Sequence, residues 1–323
     1  MIVYRGFNTL DQASKRSVIS IGNFDGVHLG HQKILKLAIQ KARAVGAQSI
    51  VYTFRPHPQV VLKPEVPVQL ITSYDEKLRI FEDLGIDCVI EEPFDKKFSE
   101  IDPDAFFKII LKRLNVHSVI VGYDFGFGSG RRGDLELLKT LCPKSGVELE
   151  VVHQESVQGE LASSTRIRNF LFAGDVAKAS RLMGRPFSYQ GMVIHGDGRG
   201  KKLGFPTANF KLENKLVVPF GVYASTAMFE GEVYPSVTNI GIRPTFRDLP
   251  KGPNTGQDAA SALIETHLFD VTLDLYGSII DVKLIDRLRG EQKFPGVDAL
   301  KTQIQNDVSR AKEILLTAKL PCH

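Results

Sequence analysis

Ile21-Gly22-Asn23-Phe24-Asp25-Gly26-Val27-His28-Leu29-Gly30-His31 is the stretch on which the reading of the fold turns. An apolar run, Ser17 to Ile21, leads into it. An amphipathic run leaves it, with Ile34, Leu37, Ala38, Ala42 and Val45 at helical spacing until Gly46 stops the pattern. The pattern predicts a strand, a tight loop and a helix. Gly22, Gly26 and Gly30 let the backbone approach a ligand closely, and the loop delivers that ligand to a helix N-terminus, where N–H groups and the dipole favour phosphate. His28 and His31, three apart, fall on one side of the junction, with Gly30 leaving room between them. A His-x-Gly-His turn after the first strand is how a nucleotidyltransferase holds the triphosphate it cleaves at the α-phosphorus. The competing readings are exposed loop histidines and, more weakly, a metal site. For the latter no HExxH is present, and Asp25 is the only nearby carboxylate.

Outward from that stretch, the chain alternates apolar strand runs with helical ones as far as Val152. Ser49 to Phe54, Cys88 to Ile90, Ser118 to Val121 and Val147 to Val152 read as strands. Ser73 to Leu84 opens with a Ser73-x-x-Glu76 capping box and closes at Gly85, and Asp102-Pro103 starts a helix running to Leu114. This alternation predicts an α/β doubly wound parallel sheet whose ligands lie beyond the carboxyl ends of the strands. The histidine turn, the Phe54-Arg55-Pro56-His57-Pro58 loop and the Gly122-Tyr123-Asp124-Phe125 loop all occur there. Gly128 to Gly133 matches GxGxxG but follows a late strand, and Asp124-Phe125-Gly126 matches DFG without the other kinase motifs, so both are coincidental. Ala162-Ser163-Ser164-Thr165-Arg166-Ile167-Arg168 opens a further helix, and hydroxyl groups at its start with Arg168 one turn in form a second phosphate clamp or an ordinary N-cap.

Beyond Gly184-Arg185-Pro186 the pattern changes. Tyr189 to His195, Gly221 to Phe229, Glu232 to Asn239, Ala262 to Phe269 and Ile279 to Leu288 read as antiparallel strands of a β-barrel, with a Glu230-Gly231 turn. The end is helical, with an apolar stripe of Val297, Leu300, Ile304, Val308, Ala311 and Leu315 expected to pack on the barrel. Chemistry begins at Gly196, Gly200 and Gly204, with Lys201 and Lys202 supplying charge. It continues through Phe205-Pro206-Thr207-Ala208-Asn209, where Thr207 and Asn209 offer neutral oxygens suited to Mg²⁺. Period two places Glu265 and His267 on one face of their strand.

Length and composition agree with two soluble domains: 323 residues, 43% hydrophobic and 24% charged. The apolar runs are too short to span a membrane, and Met1 to Leu10 lacks the apolar core of a signal peptide. Three cysteines without metal spacing suit a reducing compartment, so a cytoplasmic location is expected. A net charge of +4 without a long basic block points to nucleotide phosphates and away from nucleic acid.

Gly22 to His31 resembles the opening motif of the bacterial bifunctional riboflavin kinase/FMN adenylyltransferases, the FAD synthetases. Phe54 to Pro58 is similar to that family's Phe-x-Pro-His-Pro, with Arg55 where Glu is frequent. Gly122 to Phe127 resembles its adenosine-pocket loop, with Gly126 where many members carry Arg. Ser163 to Arg168 resembles the second half of its triphosphate site, with Ala162 replacing a usual Ile. In the second half, Gly196 to Asn209 resembles the riboflavin kinase signature. Asn239 to Phe246, Glu265 to Asp270, Asp274 to Gly277 and Arg289 to Phe294 follow in family order.

The resemblance implies an FMN adenylyltransferase domain over residues 1–186 and a riboflavin kinase domain over 187–323. It implies that riboflavin and ATP give FMN, and that FMN and ATP give FAD and pyrophosphate, with Mg²⁺. His28, His31 and Arg168 would act in adenylyl transfer, and Gly22, Asn23, Phe24, Asp25, Gly30, Asp124, Phe125, Ser163, Ser164 and Thr165 would bind its ligands. Gly196, Gly200, Lys201, Gly204, Pro206 and Arg289 would bind those of the kinase, Thr207 and Asn209 its metal. Glu265 would be the base that takes the ribityl proton. Arg247 to Ser261 is longer than usual and reads as a mobile loop near the flavin. A flavin-sensing regulator without turnover would lack Glu265, His28 or Thr207, and all three are present. A tRNA-directed adenylating enzyme would need a Lys-rich second clamp and a tRNA domain.

Overall fold

Ile2–Arg5 opens the chain as β1, and Arg16–Ile21 follows as β2, the strand that carries the histidine turn. The elements after it are α1 (Leu29–Ala44), β3 (Gln48–Arg55), α2 (Pro58–Leu62), α3 (Tyr74–Leu84), β4 (Cys88–Pro93), α4 (Lys96–Ser99) and α5 (Pro103–Arg113). Then come β5 (Asn115–Gly122), α6 (Leu135–Lys144), β6 (Glu148–Val152) and a small hairpin of β7 (Ser156–Val157) with β8 (Glu160–Leu161). This computed structural model describes residues 1–10, 15–196, 198, 200, 203–212, 215–242, 262–271 and 273–318. The chain divides into two compact units, Met1–Val68 with Thr72–Ala162, and Gln69–Ile71 with Ser163–His323. Among the described residues no helix is long and apolar enough to cross a membrane.

The first unit holds a six-stranded sheet of order β1-β4-β3-β2-β5-β6, in which every pair is parallel. From β2 the chain goes to β3 and β4 on one side, then to β5 and β6 on the other, which makes it doubly wound as the alternation predicts. β2, β3 and β4 are almost continuously buried because helices cover both faces. Phe106, Phe107 and Ile110 of α5 and Leu138 of α6 fill one face. Leu35 and Ile39 of α1 and Phe81 of α3 fill the other. The Ser73/Glu76 capping box forms in both directions, and Gly85 ends α3 in the left-handed conformation with φ 90°. β1 and α6 were not legible in the sequence. β1 is a four-residue edge strand, and Pro143 near the end of α6 argues against a helix there.

The second unit comprises α7 (Ser164–Ala173), α8 (Val176–Met183), β9 (Phe187–Met192), β10 (Ala208–Lys211), β11 (Gly221–Phe229), β12 (Glu232–Ile242), β13 (Ala262–Leu268), β14 (Ile279–Gly290) and α9 (Val297–Thr317). Its antiparallel sheet has the order β10-β13-β12-β11-β14-β9. A bridge between Ile194 and Asn209 brings the two ends of that order together, so the sheet closes as a barrel. Tyr189, Tyr223, Phe187 and Phe210 are fully buried within this unit. α9 packs through Val308, Ala311 and Leu315 against Val222, Ala224 and Val237, as its apolar stripe predicts. Val297 departs from that stripe: it is 63% exposed at the helix's first turn.

The capping box gives a direct stability test. Ser73→Ala removes the acceptor for the Glu76 N–H and should destabilise the first unit by about 1 kcal/mol. Urea unfolding should show a lowered midpoint at unchanged slope, and an unchanged midpoint would show that the cap contributes nothing.

Candidate functional site

Between β2 and α1 the backbone takes positive φ at Phe24 (51°), Gly26 (82°) and Val27 (34°). Two of these are not glycine, so the conformation is strained and must be held from outside. Thr72 holds one side: its N–H donates to Asp25 Oδ1 at 3.2 Å, and its hydroxyl accepts from Gly26 N at 3.1 Å. Lys77 and Thr53 hold the other, with Lys77 Nζ 3.2 Å and Thr53 Oγ1 3.3 Å from the Asn23 carbonyl. Gly22 N donates to the Tyr52 carbonyl at 3.0 Å. Phe24 and Asp25 are buried, so they act on the loop itself. Phe24 presents its edge to His31, ring centroids 5.3 Å apart.

His28 is the N-cap of α1, and its Nδ1 accepts from the His31 backbone N–H at 3.3 Å. A neutral ring that accepts at Nδ1 carries its proton on Nε2, so His28 presents a donor there. The two imidazoles stack with centroids 3.6 Å apart and planes 19° from parallel. A Cβ at residue 30 would lie 3.2 Å from the His28 ring and 3.5 Å from the Ala162 carbonyl, so the close approach selects glycine at Gly30. The pair therefore forms at the carboxyl end of β2, where a doubly wound sheet binds its ligands.

The loops after β3 and β5 emerge at the same edge of the sheet. After β3, His57 N donates to Tyr74 Oη at 2.8 Å, and the Arg55 guanidinium lies over the Tyr74 ring at 4.7 Å. After β5, Phe125 stacks on Phe127 at 5.4 Å, and Asp124 is exposed. The Arg131 guanidinium donates to the Asp124 carbonyl at 3.3 Å, and its Nε would be 2.9 Å from a Cβ at residue 126. A cation from five residues downstream thus occupies the space beside Gly126. The GxGxxG run forms a single 3-10 turn, Ser129–Arg131, closed by a Phe127–Gly133 bridge.

In the second unit, Ser163 caps α7, accepting from Arg166 N at 3.3 Å, with Ser164 and Thr165 in the first turn. Arg168 Nε donates to the Gln69 carbonyl at 3.1 Å. The helix start therefore realises the N-cap reading, while its hydroxyl groups stay at the head of the helix.

The barrel places the remaining residues more tightly. Asn209 of β10, Glu265 of β13 and Asn239 of β12 are in register across three adjacent strands, so their side chains share one face. Asn239 Nδ2 donates to Glu265 Oε2 at 3.1 Å and fixes that carboxylate. His267, on the same face as Glu265, bonds through Nδ1 to the Pro206 carbonyl at 2.8 Å. The opposite face of the strand carries Thr266, whose hydroxyl bonds to Thr238 at 3.0 Å inside the sheet. Asn209 Nδ2 donates to the Thr207 carbonyl at 3.0 Å and lies 3.3 Å from Thr207 Oγ1. Among the described residues Asn209 Oδ1 is buried without a hydrogen-bond partner. The glycine loop folds over this pair: a Cβ at residue 196 would stand 2.7 Å from Asn209 Nδ2, and one at residue 200 only 2.4 Å from the Phe205 carbonyl. Gly204, with φ 89°, and exposed Pro206 complete the turn into β10.

Arg289 is committed to the buried Asp307 of α9 by a two-pronged ion pair, Nη2 to Oδ2 at 2.8 Å and Nε to Oδ1 at 3.0 Å. This ion pair ties β14 to the helix. Lys201, Lys202, Arg243 to Phe246, the long loop Arg247 to Ser261 and Cys322 lie outside the described residues. Neither Lys77 nor Thr72 carries a motif that marks it in the sequence. Lys77 sits in an amphipathic helix where a lysine reads as surface, and only its 4% exposure shows otherwise.

Two families of known proteins match successive parts of the chain. A family described as FAD synthetase matches residues 10–166, and one described as riboflavin kinase matches residues 183–315. Both families use ATP. The bifunctional riboflavin kinase/FMN adenylyltransferase of Bacillus subtilis is 38% identical over 94% of this chain and 93% of its own. The enzyme of that name from Escherichia coli K12 is 36% identical over 97% of each. A crystal structure described as a macrolide-efflux protein from Streptococcus pneumoniae superposes with a TM-score of 0.84 at 29% identity, covering 96% of this chain and 98% of that one. Two histidines stacked on a strained loop and a carboxylate held in register between two asparagines thus occur in a chain whose relatives match it nearly end to end. The chain belongs to the bifunctional riboflavin kinase/FMN adenylyltransferase family.

Proposed function

We infer that the chain makes FAD from riboflavin in two steps at two sites, in the cytoplasm. A kinase over residues 187–323 phosphorylates riboflavin with ATP, and an adenylyltransferase over residues 1–186 transfers AMP from a second ATP to FMN, releasing pyrophosphate. The flavins and ATP are its partners on this reading, with no role for nucleic acid or membrane. The observation that supports it is the Asn209–Glu265–Asn239 row, in which the Glu265 carboxylate accepts from Asn239 and stands in register with Asn209. A regulator that had lost turnover would have no need to hold Glu265 in this way.

In the kinase, Glu265 accepts the proton of the ribityl hydroxyl as that oxygen attacks the γ-phosphorus of ATP. Asn239 donates to one carboxylate oxygen and leaves the other for the substrate. Gly196, Gly200, Lys201, Gly204 and Pro206 form the loop over the phosphates, and His267 fastens that loop at the Pro206 carbonyl. Thr207 and Asn209 fit a hard cation, since both offer neutral oxygens and Asn209 Oδ1 is buried without a partner among the described residues. Mg²⁺ bound there would neutralise phosphate charge. Arg289 serves by anchoring β14 to α9 through Asp307.

In the adenylyltransferase, the FMN phosphate attacks the α-phosphorus of ATP in line, and no protein nucleophile is required. His28 and His31 donate to the phosphates as negative charge moves onto the departing pyrophosphate. Gly22, Asn23 and Gly30 give the phosphates a close approach, while Phe24 backs His31 and Asp25 pins the loop to Thr72. Asp124 and Phe125 line the adenosine side. Ser163, Ser164, Thr165 and Arg168 add a second set of donors at a helix start.

The test feeds each variant separately with riboflavin and with FMN and separates the flavins. His28→Ala should lower FAD formation from FMN by roughly 10²-fold or more and leave riboflavin phosphorylation intact. Glu265→Gln should lower riboflavin phosphorylation by about 10²- to 10⁴-fold and leave FAD formation from FMN near the wild-type rate. If either substitution abolishes both conversions in a folded protein, the two-site assignment is wrong. Asn209→Ala should raise the Mg²⁺ concentration needed for FMN formation by roughly tenfold or more, with the requirement for FAD formation from FMN unchanged. An unchanged requirement in both would remove Asn209 from the metal site.

A further inference from the structure

Lys77 is a charged side chain that neither step uses, yet it is 4% exposed on the inner side of α3. Its Nζ has two acceptors, the Asn23 carbonyl at 3.2 Å and Thr53 Oγ1 at 3.0 Å. The first belongs to the strained loop and the second to the end of β3, so the ammonium joins α3, β3 and the loop at one point. Thr53 Oγ1 in turn reaches the same Asn23 carbonyl, which fixes that peptide from two directions. The next residue, Phe24, begins the positive-φ run that ends at Val27, immediately before His28.

We propose that Lys77 is a positioning residue for adenylyl transfer, its ammonium gripping the Asn23 carbonyl beneath the phosphate loop so that residues 22–27 present the histidine pair. This rests on the adenylyl-transfer reading of that loop. A buried lysine is costly to maintain, and a structural cross-link between α3 and β3 could be made by apolar contact. What an ammonium adds is a charge-assisted bond to a carbonyl and a fixed positive charge under a loop that receives anions.

Among the described residues, the charged and titratable groups around Lys77 are Asp25 from the loop, Arg55 from the end of β3 with the buried Glu91 of β4 3.8 Å from it and in register with Thr53, and Tyr74 one turn back on its own helix, its ring 5.6 Å from Nζ. Burial lowers the Lys77 pKa to about 8, with Asp25 opposing that shift and Arg55 adding to it. The lysine is therefore charged below about pH 8 and neutral above it. Loop positioning and the buried charge weaken together across that pH, while the kinase site in the barrel contains no part of this cluster.

The experiment measures kcat and KM for FAD formation from FMN, and separately for riboflavin phosphorylation, between pH 7 and about 9.5 in wild type, Lys77→Met and Lys77→Arg. Wild-type kcat for FAD formation should fall as pH rises through about 8, beyond any fall in riboflavin phosphorylation. Lys77→Met should lower that kcat by roughly 10- to 10²-fold at pH 7, as expected of a small misplacement of reacting groups, and should abolish the fall near pH 8. Lys77→Arg, whose charge does not titrate in this range, should retain more activity than Lys77→Met and show no fall near pH 8. Urea unfolding followed by far-UV circular dichroism reports whether the first unit of each variant is folded. If Lys77→Met does not fold, the wild-type and Lys77→Arg profiles decide. A wild-type profile without the fall, or a fall that persists in Lys77→Arg, overturns the proposal. Equal kcat in wild type and folded Lys77→Met also overturns it. Wild-type protein that makes no FAD from FMN would instead overturn the adenylyltransferase reading itself.

Discussion

A loop in which Phe24, Gly26 and Val27 all have positive φ cannot hold its own shape, and the first site depends on what holds it. Thr72 grips it through Asp25 and Gly26, Lys77 and Thr53 grip it through Asn23, and Phe24 is sunk in the core against Phe81 at 5.8 Å. The donors come from the segment before α3, from α3 itself and from β3, so the sheet and one helix must form before the loop is set. His28 and His31 stack at the end of that loop, where a Cβ at residue 30 would stand 3.2 Å from the His28 ring. The chemistry is carried by a few donors, and the strain that aims them is balanced by ordinary hydrogen bonds beneath.

The second site meets the same demand in a different way. In the barrel, strand register aims the side chains. Because Asn209, Glu265 and Asn239 are partners across three strands, a one-residue slip would turn all of them to the opposite face. That opposite face is buried, where Ser225, Ser236, Thr238 and Thr266 satisfy one another's hydroxyl groups. The buried face therefore fixes the register, and the register places the base.

Much of this is legible in the sequence. The parallel alternation, the capping box at Ser73, the Gly85 stop, the change of period after Pro186 and the pairing of Glu265 with His267 on one face are all local signals, and local signals survive folding. Non-local partners are not legible in this way. Nothing around Lys77 distinguishes a lysine that lies under a loop 54 residues earlier from one on a surface. Arg289 shows the converse, since a residue picked out by its motif directs its guanidinium to Asp307, 18 residues on, instead of outward. β10 was hidden because Ala208–Lys211 is short and opens with the very residues, Ala208 and Asn209, that read as a phosphate loop.

The central claim is that one chain carries both conversions, and time-resolved product analysis tests it most directly. Purified protein given riboflavin, ATP and Mg²⁺ should form FMN first and FAD after a lag, with AMP transfer accounted for by pyrophosphate release. No conversion of riboflavin, or FMN that accumulates without FAD under saturating ATP, would contradict the account.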